Sequence, residues 1–252
     1  DSEYNETIKT DVLNFGNRIV NCWAYRIDNG YVIIDTGYEN SYRNFKKKLK
    51  ANNIKINQIK YCFMTHAHDD HAGFINQLLF DNQEVKVIMS DKGIDTLRKG
   101  QNSFVGGCTS KLALAFCNVM KLFGKGQHKF PPIKAEYESR LIIISNDNRA
   151  YLEQELNGKI VETAGHTSDS ISLLLNNGYL FCGDAAMNGF PSKHNITIWA
   201  EDKVAFLQSW QKIIRLQPTK IFSGHGKPFD VQSLKRNIGF VENIKLHALK
   251  PI

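Results

Sequence analysis

Apolar positions along the chain fall into short runs broken by turn residues, and the strands they predict come in two batches. The first batch covers Thr7–Phe15, Cys22–Ile27 and Tyr31–Asp35, with Asp28, Asn29 and Gly30 as the turn between the last two. Lys60–Thr65 and Val85–Ser90 extend it as buried strands, each running into a helix. The second batch covers Arg140–Ser145, Lys159–Thr163, Ser170–Leu175, Tyr179–Gly183 and Lys220–Ser223. Helical patterns occupy Ser41–Ala51, Glu201–Leu216 and Val231–Leu249. Strands in two batches, each followed by helix, predict an α/β chain with two sheets packed together and helices outside. No internal repeat and no Pro/Gly/Ser linker interrupts this order, so residues 1–252 read as one domain.

Between the batches, Ser110–Lys125 reads SKLALAFCNVMKLFGK. Leu112, Phe116, Val119, Met120 and Phe123 recur at helical spacing, and Leu114, Cys117 and Leu122 widen the apolar face. Gly106 and Gly107 precede the segment, and Gly124 and Gly126 close it. Two readings follow. It is a core helix with one buried face, or residues 103–130 form a lid or insert. As a lid it would offer Phe116 and Met120 to an apolar substrate; as an interface it would make a homodimer.

Composition narrows the class. The chain is 42% hydrophobic and 23% charged, the balance of a globular protein, which excludes collagen-like, low-complexity and membrane-bundle classes. No apolar run reaches the ~18 residues of a membrane span. The first residues lack the charged-then-apolar order of a signal peptide, which predicts a cytoplasmic home, although the chain starts at Asp1 and not at Met. Five scattered cysteines (Cys22, Cys62, Cys108, Cys117, Cys182) contain no CxxC pair and read as buried free thiols. The net charge of +7 is densest at Lys46, Lys47, Lys48 and Lys50. No aromatics interleave with them as in a nucleic-acid groove, so they read as a solvated helix face and no nucleic-acid partner is expected.

The 8 histidines carry more. Thr65–His71 reads THAHDDH directly after the strand KYCFM. His66 and His68 alternate and so point the same way in an extended turn, while Asp70 and His71 follow after one spacer and reach a second position. Imidazole with carboxylate is the donor set expected for zinc, with iron or manganese as alternatives. Three later strands end on residues of the same kind: KIVETAGH on His166, YLFCGD on Asp184 and KIFSGH on His225. Gly165, Gly183 and Gly224 adjoin them and let backbone come close to an ion.

These motifs, in this order, resemble the metallo-β-lactamase superfamily. The resemblance rests on IIDTG (Ile33–Gly37), THAHDDHAG (Thr65–Gly73), AGHT (Ala164–Thr167), FCGDA (Phe181–Ala185) and SGHG (Ser223–Gly226). It implies an αββα sandwich of two mixed sheets with helices outside and metals at one edge. It further implies that His66, His68 and His166 bind one metal, that Asp70, His71 and His225 bind a second, and that Asp184 bridges both. Asp35 looks like the family's acid that orients ligands without touching metal, and Asp69 fills a variable slot.

The implied cofactors are two zinc ions, and the implied protein is a dinuclear hydrolase acting on a small-molecule carbonyl substrate: an ester, lactone, thioester or amide. A hydroxide shared by the metals would attack the carbonyl, and Asp70 would steer it and pass a proton to the leaving group. Alternatives on the same fold are a phosphodiesterase, a β-lactamase, an iron-dependent oxidoreductase and a sensor that keeps the metals without turnover. Departures from subfamily patterns bear on the choice. Glyoxalase II types carry a C-terminal helical domain, and Gly226–Ile252 leaves room for about one helix. Lactone hydrolases place a tyrosine three residues after the bridging Asp, where this chain has Met187, and true β-lactamases usually replace the Asp itself. Lys193 and His194, in the loop after Asp184, read as carboxylate or oxyanion contacts or as an exposed pair.

Overall fold

Successive strand residues point to opposite faces, and that alternation sorts the apolar residues of this chain into layers. The computed structural model describes residues 11–124 and 126–249. It opens with β1 (Leu13–Asn14), β2 (Trp23–Ile27), β3 (Gly30–Ile34), α1 (Tyr42–Ala51), β4 (Ile59–Phe63), α2 (Asp69–Ala72), α3 (Ile75–Asp81), β5 (Lys86–Met89) and α4 (Ile94–Lys99). A middle section holds β6 (Gly107–Cys108) and α5 (Lys111–Leu122). Then come β7 (Leu141–Ile143), α6 (Asn146–Glu155), β8 (Gly158–Glu162), β9 (Ile171–Leu175), β10 (Tyr179–Gly183), β11 (Trp199–Ala200), α7 (Lys203–Leu216), β12 (Lys220–Ser223) and α8 (Val231–Glu242).

One sheet runs β1-β2-β3-β4-β5-β7, antiparallel at first and parallel from β3 onward. The other runs β12-β10-β9-β8, with only β10 and β12 parallel. Val32 and Ile34 of β3 meet Leu173 of β9 and Phe181 of β10 in the layer between the sheets. Ile33, one residue away, faces the other side and packs with Phe45 and Leu49 of α1 and Leu78 of α3. Leu180 and Cys182 likewise turn outward from β10 onto Phe206 and Trp210 of α7 and Leu234 of α8. Helix, sheet, sheet and helix are therefore stacked in the expected αββα order. Among the described residues, no helix is long and apolar enough to cross a membrane.

Several boundaries differ from the sequence reading. Of Thr7–Phe15, residues 7–10 lie outside the described part, and only Leu13–Asn14 pairs as strand. The last helix stops at Glu242; its apolar spacing continues through Ile244 and Leu249, but His247 leaves to pair its backbone with Cys108. Helix α6 was not anticipated, because its sequence NDNRAYLEQE buries only Leu152 and carries no apolar stripe; a capping box of Ser145 and Asn148 starts it. The segment 110–125 is helical from Lys111 to Leu122, yet Ala113 is its one buried residue, which is not how a core helix packs.

Candidate metal centre

All the strand ends that carry candidate residues lie along one edge of the sandwich. β3 ends before Asp35, β4 before Thr65 and His66, β10 before Asp184 and β12 before His225, while His166 lies on the β8–β9 connection at the same edge. The two sheets are tied together there: Asn21 Nδ2 donates to the carbonyls of Ser223 and Gly226, and Trp23 Nε1 donates to Ser223. This makes a rigid floor.

Four of the five clustered imidazoles are aimed by a bond at the far nitrogen. Asp35 is 2% exposed and holds a left-handed φ of 58°, a strained backbone for an Asp. Its carboxylate accepts from Thr65 N (2.6 Å), Thr65 Oγ1 (2.7 Å) and His71 Nδ1 (2.8 Å). Because Thr65 Oγ1 gives its proton to Asp35, it must accept from His66 Nδ1, 3.0 Å away. His166 Nδ1 donates to the Trp199 carbonyl at 2.8 Å and His225 Nδ1 to the Ile19 carbonyl at 2.7 Å. Nε2 of His66, His71, His166 and His225 is thereby directed into the site.

Three nitrogens converge at one point. His166 Nε2 lies 3.2 Å from both His66 Nε2 and His68 Nδ1. Tetrahedral donors with metal–nitrogen bonds of about 2.0–2.1 Å sit about 3.3 Å apart, so the spacing fits a metal ion. A second group, Asp70, His71 and His225, has its donor atoms within 4.8 Å of one another. Asp184 reaches toward both groups: Oδ2 is 3.7 Å from His166 Nε2 and 3.4 Å from His225 Nε2, and Oδ1 is 3.5 Å from His71 Nε2. His71 Nε2 and Asp184 Oδ1 are buried without any hydrogen-bond partner, an arrangement that is costly unless a ligand completes it. Gly224 keeps the space open, since a Cβ there would lie 2.4 Å from Asp184 Oδ1 and 2.6 Å from His71 Cε1. Asp35, His66 and His71 also lie close enough to share an ion, but the Asp35 oxygens are already taken by Thr65 and His71.

The electrostatics agree with a cation site. Burial and the neighbouring imidazoles push His66 and His68 well below the usual histidine range, which keeps them neutral donors. Burial works against charge on His225 too, but Asp184 and Asp70 outweigh it and push that imidazole up to about 10. His71 is raised in the same way by Asp70, Asp184 and Asp35. Asp70 and Asp184 are held below the carboxylate range against burial by His71 and His225. A bound cation would take over the role of those extra protons and release them.

The remaining candidates lie around this floor. Asp69 is engaged by other partners: Oδ1 accepts from Asn102 Nδ2 at 2.7 Å, and Oδ2 is 3.5 Å from His128 Nδ1. Phe116 and Met120, one turn apart on α5, are half-buried, and Phe116 meets Phe190 edge-to-face at 5.9 Å. Phe190 follows Gly189, whose Cβ position is 3.2 Å from that of His225, so this aromatic pair stands at the rim of the site. His194 stacks on Phe240 of α8 and is engaged there, not with the ligand-type cluster; Lys193 makes the backbone turn to Ile196 beside it. Thr65, Asn102, His128 and Tyr38 were not singled out from the sequence. Tyr38, just past IIDTG, has its phenol pushed up first by Asp70 and then by burial, Asp69 and Asp184, so it faces the same carboxylates.

A fruit-fly (Drosophila melanogaster) protein named beta-lactamase-like protein 2 homolog is 27% identical over 199 residues, 77% of this chain and 54% of its own; the chain thus spans about half of that relative. An archaeal metallo-beta-lactamase superfamily protein, ST1585 from Sulfolobus tokodaii, superposes with a TM-score of 0.61 at 17% identity, over 91% of this chain and 84% of that one. TTHA1623 in a di-iron-bound form superposes with a TM-score of 0.61 at 16% identity, over 90% and 98%. At such identities these two structures speak for the fold alone. The model of the metallo-beta-lactamase superfamily matches residues 15–225, from the first sheet through the last histidine of the cluster, and the chain belongs to that superfamily.

Proposed function

We propose that the cluster holds two divalent cations and that the protein is a hydrolase of a small carbonyl substrate: an ester, lactone, thioester or amide. In this reading His66, His68 and His166 hold one ion, Asp70, His71 and His225 hold the other, and Asp184 lies between them. The observation that carries it is the pair of buried, unpartnered atoms, His71 Nε2 and Asp184 Oδ1, facing each other across 3.5 Å. A nitrogen-and-oxygen donor set of this kind suits zinc, and iron or manganese are the alternatives. Two bound cations would supply Lewis acidity and a water of lowered pKa.

The chain's own residues do the rest. The Asp70 side chain is 14% exposed and lies 3.2 Å from His225 Nε2, so it meets both the site and solvent. It would take the proton released as the carbonyl is attacked and return it to the leaving group. Asp35 would act through Thr65 and His71, holding both imidazole directions without touching substrate. Phe116, Met120 and Phe190 would line the approach for an apolar acyl or aromatic group. The net charge of +7 favours one second reading, a phosphodiesterase on the same site.

The test is a hydrolysis panel on metal-loaded protein with lactones, β-lactams, thioesters, aryl esters and a bis-aryl phosphate, alongside metal analysis. Turnover of a carbonyl substrate that chelation abolishes is the expected result. Turnover confined to the phosphate moves the assignment to the second reading. Full turnover by metal-free protein overturns both, and bound metal with no product anywhere makes the protein a sensor.

A further inference from the structure

Three of the five cysteines, Cys22, Cys62 and Cys182, are sealed in the interior, and burial pushes each thiol up, Cys182 to about 12. The other two lie where the apolar helix packs on its ribbon. Cys108 in β6 is fully buried, its backbone paired with Trp199 of β11 on one side and with His247 on the other. Cys117 in α5 is half-buried and packs in the same apolar cluster, with its thiol beside that of Cys108. The neighbouring Cys108 thiol pulls the Cys117 thiol down to about 7; burial opposes the shift, and His128 and Lys121 add to it. A partly ionised, solvent-reachable sulfur touching a second thiol is where oxidation starts fast and ends as a disulfide.

We propose that Cys117 and Cys108 form a peroxide-reactive dithiol whose disulfide staples α5 to the ribbon of β6 and β11. The Cys117 thiolate attacks one oxygen of hydrogen peroxide. An S–O bond forms, the O–O bond breaks, and the departing hydroxide takes a solvent proton to become water. Cys108 then gives up its proton and attacks the sulfenic sulfur; the S–S bond forms, the S–O bond breaks, and a second water leaves. The two thiols lose two electrons in all, and the peroxide gains them.

The staple joins two elements that both reach the metal edge. Phe116, next to Cys117, meets Phe190, one residue past the Gly189 that lies against His225, and Trp199, opposite Cys108, orients His166 through its carbonyl. Any effect of the staple on substrate choice rests on the hydrolase reading; the dithiol chemistry does not, and is measured without substrate.

Reduced protein in its metal-loaded form is treated with hydrogen peroxide, then digested without reductant and weighed. The expected product is a peptide pair joined through Cys108 and Cys117, restored by dithiothreitol, with Cys22, Cys62 and Cys182 unchanged. At pH 7, iodoacetamide labels Cys117 at least ~10-fold faster than those three. In Cys108→Ser a dimedone adduct accumulates on Cys117, and Cys117→Ser abolishes both products. Cys108 is fully buried, so the wild-type digest decides the matter if its variant does not fold. Cys117 left reduced by peroxide, Cys117 carried to sulfinic acid with Cys108 still free, or equal labelling rates each overturn the proposal.

Discussion

Between Thr65 and His71 every polar side chain has a partner that sets its direction, from Asp35 under Thr65 and His71 to Asn102 beside Asp69. Between Lys111 and Leu122 one side chain, Ala113, is buried, while Leu112, Val119 and Leu122 stand in solvent, followed by Phe123. Both segments lie at the same edge of the sandwich. The first is held by two sheets and by hydrogen bonds whose acceptors come from distant parts of the chain. The second is one amphipathic helix resting on a two-stranded ribbon, with Gly106 and Gly124 at left-handed φ on either side. Bond-making chemistry needs donors fixed to a fraction of an ångström, and selection among apolar substrates does not. In the proposed reading the floor would carry the chemistry and the helix would choose the substrate.

Breaking the floor from below gives the largest effect. Phe181, fully buried between the sheets and stacked on Tyr25, is expected to cost about 3–5 kcal/mol as Phe181→Ala, read by denaturant unfolding. Breaking it at the ions comes next. His68→Ala or Asp184→Asn should lose bound metal and at least the ~100-fold in activity that removing an outer partner alone can cost, checked by metal analysis and kcat/KM together. Asp35→Asn should weaken metal binding by about 10–100-fold in a chelator competition while leaving the ligands themselves intact. A smaller effect separates the helix from the floor. Phe116→Ala and Met120→Ala should raise KM roughly tenfold for long-chain substrates and spare short ones; equal effects on both would return α5 to a packing role. The smallest effect is Phe123→Ser, at 74% exposure, which should change stability by no more than about 0.5 kcal/mol in the same unfolding assay.

Much of the floor was legible because its signals are local. Tyr179–Gly183 and Lys220–Ser223 are strands with the predicted bounds, since runs of apolar residues closed by glycine are read within a few positions. THAHDDH carries its alternation in seven consecutive residues, and the structure brings His66 and His68 to the same point, 3.2 Å from His166 Nε2. Partners set by long-range pairing had no such signal. Nothing near His128 announces Asp69, and nothing near Lys193 and His194 announces that His194 would stack on Phe240. Helix α6 escaped because it is marked by a capping box and one buried leucine, Leu152, and not by a stripe.

By itself the sequence determined the strand periodicity, the αββα layering and the residue types that gather at one edge, because each of these is written in spacing over a few residues. Only the tertiary structure decided which nitrogen of each histidine faces inward, that Asp35 is saturated by Thr65 and His71, and that Asp69 pairs with Asn102 and His128. It alone set Cys117 against Cys108 and left the face of α5 in solvent. These depend on contacts between segments as far as 206 residues apart, such as Ile19 with His225. Their positions follow from how two sheets close on a common core, and no local pattern records that closure.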